Sequence, residues 1–451
     1  MNIYEIFEHI YSIEQETKSV VHEEVSKTNF ETFLVKKNEG LSFRVSYPNF
    51  NILYKTKKRF VITCNSLEIE INHFCVKSVK NNFLERECET YNFQSITFDK
   101  EKKCFNTYFS KIESVFYIKN ILSENKNEFD YQCNGVIFEI SVSILSESIN
   151  DVYLIINSKN KISHNEFKHS INSIILALGF LSGYLYKKEE YFFQSNDLNF
   201  TETDFFYRAQ GKRLDVYEPF SKYPQSYSFP QNHKQRNFEP KVFSSTISIE
   251  QIQKLVDMVK DNPKYYVSLR MLFEVMPSTF ISKHSILFIA LETIVLEIRN
   301  KHYSKQIEKI KIRDNAVKVL KNIKGKISEA EYDNLLDALD NINEKNIENI
   351  VDYEQAFNSL SIQIRKSDKN VFKRRNNLFH GRTIKSDIEL IFEDQYHELE
   401  VEYSYYSYKL YLLICKLILK QIEFQGYLLN HSKIILHDSP LTLKENFFEK
   451  I

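Results

Sequence analysis

Over residues 34–157 apolar and polar positions alternate. Leu41, Phe43, Val45 and Tyr47 share one face; Leu67, Ile69 and Ile71 alternate with Glu68, Glu70 and Asn72. Phe138, Ile140, Val142 and Ile144 alternate with Glu139, Ser141 and Ser143. A period of two predicts half-buried antiparallel strands. The unbroken apolar run 152–156 predicts a strand covered on both faces, and many short strands at this spacing make a sandwich- or barrel-like domain. The period then lengthens. Phe167, Ile171, Ile174, Ile175, Leu178 and Leu181 predict a helix over 164–187 that packs on the sheet, with Gly179 and Gly183 weakening its last turns.

Between residues 196 and 243 neither period holds. Pro219, Pro224, Pro230 and Pro240 fall here, and Lys212, Arg213, Lys222, Lys234 and Arg236 are interleaved with Phe205, Phe206, Tyr207, Tyr217, Phe220, Tyr223, Tyr227 and Phe229. Such interleaving can build a stacking platform for single-stranded nucleic acid. Without regular spacing, the preferred reading is an irregular loop pinned to the sheet by its aromatics.

From Ser248 the pattern is helical. Ser248 with Gln251 is a capping-box pair opening a helix that must end before Pro263, and a second helix over 265–276 stops at Pro277. Ile286, Leu287, Ile289, Ala290, Leu291, Ile294, Val295 and Ile298 then predict a helix apolar on most sides, at the centre of a bundle, with Glu292 embedded in it. Further helices are expected over 306–323, over 329–342 with Ser328 as N-cap, over 347–364, from Ser367 or Asp368 onward, and over 396–424. A strand is conceivable over 388–392, and the tail 433–451 has no clear pattern. Long helices joined by short loops form a bundle. The fold class expected is therefore α+β, with an amino-terminal antiparallel, sandwich-like domain over 1–245 and an all-helical bundle over 246–451.

The chain has 451 residues, and its 60 Lys and Arg balance its 60 Asp and Glu. A neutral chain does not coat polyanions generally, so any nucleic-acid surface must be local. Cys64, Cys75, Cys88, Cys104, Cys133 and Cys415 include no C-x2-C pair, so neither a zinc site nor a disulfide framework is expected, and reduced thiols are the simplest reading. No basic and apolar leader opens the sequence, and its apolar runs are short, so a soluble cytoplasmic protein without membrane contact is expected. With 8 glycines and no Gly-rich phosphate loop, dinucleotide turn or metalloprotease motif, nucleotide-driven chemistry is not expected, and no cofactor or metal is assigned.

The candidate chemistry lies late in the helical half, in Lys373-Arg374-Arg375-Asn376-Asn377-Leu378-Phe379-His380-Gly381-Arg382. Gly381 suits the left-handed residue just past a helix end, which would place His380 where exposed carbonyls favour an imidazolium. Asn376, four residues earlier, shares its face; Arg375 is about 140° round the helix, within reach of a group bound near His380. A histidine that exchanges protons beside a fixed guanidinium suits a phosphodiester. Across 366–382, Lys366, Lys369, Lys373, Arg374, Arg375 and Arg382 face Asp368 alone, a landing site for phosphates or simply a solvated basic face.

The run 375–380 fits the R-x4–6-H signature of HEPN ribonucleases, including the polar residue after the arginine. The chain most resembles the ApeA-like HEPN proteins of bacterial anti-phage (abortive infection) defence, in which a β-rich amino-terminal part precedes a helical HEPN bundle. The HEPN resemblance covers about residues 264–430; across the front half it is architectural only. It implies metal-independent endoribonuclease activity on RNA, possibly tRNA. His380 would be general base or acid, Arg375 would hold the scissile phosphate, and Asn376 would complete the motif. Lys373, Arg374 and Arg382 would contact RNA, and attack by the 2′-hydroxyl would leave a 2′,3′-cyclic phosphate. It also implies a homodimer with a composite site. Glu292 resembles the acidic residue of the first long HEPN helix and would orient Arg375; an acid paired with a nearby lysine is the alternative. The tyrosine that carries inactivating modification in some HEPN toxins, two residues after the histidine, is here Arg382. The front domain, lacking a catalytic constellation, is expected to sense a phage-derived trigger. A non-catalytic HEPN-like module that dimerises and binds RNA or protein is the rival.

Overall fold

The computed structural model describes residues 17–23, 29–37, 40–46, 60–64, 67–80, 85–95, 97–115, 117–144, 152–185, 189–209, 214–227, 229, 239–340, 353–379, 395–442 and 444–451. The chain is mixed α+β, with an antiparallel sheet and helices, and forms two compact units. One comprises Met1–Tyr223 with Ser245–Asp261; the other comprises Pro224–Ser244 with Asn262–Ile451. A single boundary near 245 therefore does not describe it.

The first unit is organised by a 12-stranded sheet. Six strands come first: β1 (Thr17–Glu23), β2 (Asn29–Lys37), β3 (Gly40–Ser46), β4 (Phe60–Cys64), β5 (Leu67–Lys80) and β6 (Glu85–Ser95). Then follow β7 (Phe105–Ile112), β8 (Glu128–Cys133), β9 (Val136–Ile144) and β10 (Val152–Ser158). After a helix the chain adds β11 (Tyr184–Leu185), β12 (Glu189–Ser195), β13 (Asp204–Ala209) and β14 (Leu214–Asp215). The order is β3-β2-β1-β4-β5-β6-β13-β12-β7-β10-β9-β8, and β3 also pairs with β6. Residues 85–90 of β6 pair with β3 and residues 92–94 with β13, so β3 and β13 lie end to end along one edge of β6. The first six strands thus close on themselves, and the rest continue as an open sheet. Of the sandwich- or barrel-like arrangements expected, the closed set of six strands is the barrel-like one, and it runs on into the open strands as one continuous sheet.

The local chemistry of this sheet is that of its sequence. In β8 burial alternates strictly, and β10 is buried along nearly its whole length, as its unbroken apolar run requires. The β8–β9 hairpin turns on Asn134 (φ 50°) and Gly135 (φ 78°), the residue pair that a two-residue turn with positive φ at both positions favours. Helix α1 (His164–Ser182) covers the sheet and opens on a Ser163/Glu166 capping box. It ends at Ser182, short of the expected 187, because Gly183 turns left-handed (φ 86°) and its N–H bonds the Gly179 carbonyl at 2.9 Å. A Cβ at Gly183 would sit 2.8 Å from Glu218 Cγ. The aromatics of 196–243 are not an irregular loop throughout. Phe205 and Phe206 lie in β13, and Phe205 and Phe220 are buried.

Helix α2 (Ile249–Asp261) opens on the expected Ser248/Gln251 box and buries Ile252, Leu255, Val256 and Val259 against α1 and β8. Its Asp257 accepts a hydrogen bond from buried Tyr131 at 2.7 Å. This burial assigns α2 to the sheet unit, although its sequence is that of the bundle.

The second unit holds α3 (Pro263–Val275), α4 (Phe280–Ile323), α5 (Glu329–Asp340), α6 (Tyr353–Ser359), α7 (Lys366–Phe379), α8 (Gln395–Gln421) and α9 (His431–Ile435). α4 is one helix of 44 residues, where two were expected, and packs between α3 and α8. No Pro or Gly interrupts 280–323, so nothing in the backbone ends the helix where its apolar pattern fades. Leu410 to Leu419 of α8 are all buried, a run apolar but for the ion-paired Lys416, which places this helix in the core. The tail adopts two short strands, β15 (Tyr427–Leu429) and β16 (Phe448–Lys450), paired antiparallel. Phe243 stacks on Phe448 at 4.4 Å and Phe229 meets Phe447 at 5.3 Å, which explains why 224–244 belongs to this unit. The conceivable strand over 388–392 lies outside the described residues. Among the described residues no helix is long and apolar enough to cross a membrane.

Candidate functional site

The motif helix α7 begins at Lys366, so Ser367 and Asp368 lie inside it rather than capping it. The Asp368 carboxylate instead reaches back to accept from the Arg365 backbone N–H at 2.9 Å, satisfying one of the donors a helix start leaves open. Asp368 is fully buried. Its counter-ion is Lys409 of α8, 3.2 Å away and also fully buried. Lys409 lies 3.2 Å from Glu445 and 3.8 Å from Glu449; Glu449 in turn meets Lys416 at 2.5 Å and Arg365 at 2.9 Å. Burial, the largest single influence, would push the Asp368 and Glu445 carboxyls up, but the interactions around them together outweigh it. Lys409, Lys416 and the Arg365 N–H hold Asp368, and Lys409, Asn430 and Tyr405 hold Glu445, below the usual carboxylate range. Burial would likewise depress Lys409, and Glu445, Glu449 and Asp368 together hold it above the usual lysine range. Buried charges persist only when paired in this way. The tail that had no clear sequence pattern therefore supplies the carboxylates under the motif helix.

Next along α7, the two consecutive arginines part company. Arg374 is buried, ion-paired with Glu402 of α8 at 2.6 Å, and its guanidinium lies over the Tyr406 ring at 4.4 Å. The expected RNA contact from Arg374 is thus corrected: at 8% side-chain exposure it faces the core. His284 packs edge-on to Phe288 and near Tyr403 and Tyr406; burial first, then Arg374, lowers its pKa to about 3. It is held as the neutral imidazole.

Arg375, one residue on, points elsewhere and keeps 36% of its side chain exposed. Its Nε and Nη2 both donate to Glu292 of α4, the first to Oε1 and the second to Oε2 at 3.3 Å. The sequence placed these two residues 83 positions apart; the structure brings them into a two-point contact. This fork fixes the guanidinium plane, which a single-point contact would leave free to swing. Tyr353 of α6 donates to the same Glu292 Oε1 at 2.8 Å. Its ring stacks on Phe372 of α7 at 4.4 Å and 9°. Burial, then the charge of Glu292, pushes the Tyr353 hydroxyl well above the usual tyrosine range, so it remains a donor at neutral pH. The hydrogen bonds to Glu292 raise the Arg375 pKa further.

Lys373 is exposed, as an RNA contact requires. Asn376 lies in the final turns of α7, while His380 and Arg382 lie outside the described residues. The basic face is thinner than the sequence count suggests. Arg374 turns inward and Lys369 is paired with Glu354 at 2.9 Å. Tyr353, Glu402 and Lys409 escaped sequence reasoning, because no local pattern links them to α7.

The sheet unit presents a separate open cleft of about 590 Å³, lined by Lys126, Asn127, Glu139, Ser141 and Asn157 among others. Comparison of the chain with protein-family models, with curated proteins and with solved structures finds no match.

Proposed function

We propose that this chain is a metal-independent HEPN-type endoribonuclease of bacterial anti-phage defence. The observation that carries the reading is Arg375, a motif arginine locked by Glu292 on one side and still open to solvent. A guanidinium held in a fixed plane matches a phosphodiester bidentately and stabilises charge as it builds on the pentavalent phosphorus. His380 takes the 2′-hydroxyl proton or protonates the 5′-oxygen. One histidine per chain is poorly placed to do both, so the active form is a homodimer whose site draws on two motif helices. Arg375 and Lys373 would provide the phosphate contacts among the described residues, Arg374 being held in the core. The sheet unit would hold the trigger, and its binding would bias how two helical units meet.

The test is the full-length protein incubated with total bacterial RNA in EDTA. Cleavage leaving 2′,3′-cyclic phosphates is expected, and it should disappear in Arg375→Ala and in His380→Ala. An active His380→Ala enzyme would overturn the assignment. Mixing the two inactive variants should restore part of the activity if the site is composite.

The rival reading is a non-catalytic HEPN-like RNA- or protein-binding dimerisation module. It draws on the same ion pair, since Glu292 offsets the charge of Arg375. Wild-type protein that binds RNA without cutting it would establish that reading instead.

A further inference from the structure

The Glu292 carboxylate that holds Arg375 is itself held. Of its two oxygens, Oε1 accepts from both Arg375 Nε and the Tyr353 hydroxyl, and Oε2 accepts from Arg375 Nη2. Tyr353 is 8% exposed, and its ring is clamped parallel to Phe372, three residues before Arg375 on the same helix. Phe357, fully buried one turn further along α6, packs on Phe372 as well. The tyrosine therefore touches both sides of the Arg375–Glu292 pair: the carboxylate through its hydroxyl and the helix carrying the arginine through its ring. Its hydroxyl also lies against the Arg375 guanidinium.

We infer that Tyr353 is a positioning residue for Arg375, fixing the rotation of the Glu292 carboxylate so that the guanidinium plane is set before substrate arrives. The inference rests on the ribonuclease reading for its consequence, though not for its geometry. A glutamate on a helix surface rotates freely about its last bond, because that torsion has a broad, two-fold profile. A second donor on Oε1 narrows that rotation. Without the hydroxyl, the carboxylate turns with the arginine, and the plane offered to a phosphate is no longer unique. A misaligned donor weakens transition-state stabilisation more than ground-state binding, so the loss should fall on kcat rather than KM.

The experiment uses the full-length protein with Tyr353→Phe, Glu292→Gln and the double variant. Tyr353→Phe keeps the ring stacked on Phe372 and removes only the hydroxyl. Loss of one hydrogen bond to a charged group corresponds to roughly a tenfold to 150-fold change. The expected result is a fall in kcat of that order with KM within about twofold. Glu292→Gln should fall further, and the double variant should match Glu292→Gln alone, since without that carboxylate the guanidinium has no fixed plane for the hydroxyl to keep. A readout independent of activity is the Arg375 Nε–H resonance in protein labelled with 15N-arginine, assigned by its loss in Arg375→Lys. It should exchange slowly with solvent in the wild type and at least threefold faster in Tyr353→Phe.

The two readings fail separately. If the wild type cleaves RNA while Tyr353→Phe has wild-type kcat and an unchanged Arg375 signal, the positioning role is overturned and the ribonuclease stands. A kcat loss accompanied by an unchanged Arg375 signal would also overturn it, showing a merely structural effect. If the wild type cleaves no RNA, the ribonuclease reading falls, and the exchange rate alone decides whether Tyr353 sets the arginine.

Discussion

Arg374 and Arg375 are chemically identical neighbours with opposite consequences. Removing the Arg374 side chain leaves Glu402 as an unpaired charge in the core, a loss of about 3–5 kcal/mol. Arg374→Ala should therefore unfold the helical unit at markedly lower denaturant. Arg375→Ala breaks a pair whose arginine is about one-third exposed, so its stability cost should stay under about 1 kcal/mol while RNA cleavage is lost. Equal destabilisation of the two variants would contradict this assignment of sides. His284 gives a pH dependence at the same scale. Its folded pKa, about 3, lies below the ordinary 6.5, so the unfolded chain takes up a proton that the native state refuses. Stability is then full above about pH 6.5 and declines as pH falls below it, by at most about 1.4 kcal/mol per unit. His284→Phe keeps an edge-on ring against Phe288 and should flatten the decline of the helical unit between pH 6.5 and 4. An unchanged slope in chemical denaturation would show that other groups carry it.

Among the elements, α7 decides the site because it is fixed along its length by different partners. Its first turn rests on the Asp368–Lys409 pair, its middle on Arg374–Glu402, and its outer side on Glu292 and Tyr353. The carboxylates of the last residues complete the first of these, so the tail acts at a distance on the motif. Glu449→Ala leaves Lys416 without its 2.5 Å partner and Arg365 without its 2.9 Å partner, and should cost the helical unit about 3–5 kcal/mol. Hydrogen exchange should then rise across 366–379, although Glu449 is far from the motif in sequence. Protection of α7 unchanged from wild type would remove the tail from the site. The same network is acid-labile. The Asp368 and Glu445 pKa values are depressed, so the stability they contribute is present above about pH 4 and is lost as pH falls through their folded values.

In the whole molecule, the chain passes between its two units three times, after Tyr223, after Ser244 and after Asp261. A cut near 245 therefore strips Phe229 and Phe243 from Phe447 and Phe448, and leaves the apolar face of α2 without α1 and β8. A fragment of residues 224–451 should resist thermal unfolding better than one of 246–451, because only the longer one retains those aromatics. Equal midpoints would mean that the 224–244 segment adds nothing to the helical unit.

Much of this was legible locally. Strand alternation in β8 and β9, the capping box at Ser248, the N-cap at Ser328, and the buried run of α8 are properties of short stretches, where side-chain period and cap chemistry suffice. The candidate arginine and its acid, Arg375 and Glu292, were also nameable from residue type and setting. Tertiary structure alone decided what depends on distant pairing: the closure of β3 on β6, the assignment of α2 to the sheet, and the inward turn of Arg374. Tyr353 on Glu292 and the tail carboxylates beneath α7 belong with these. Charge and hydrogen-bond partners carry no periodicity along the chain, so a buried lysine and an exposed one read alike until the fold brings a carboxylate to one of them.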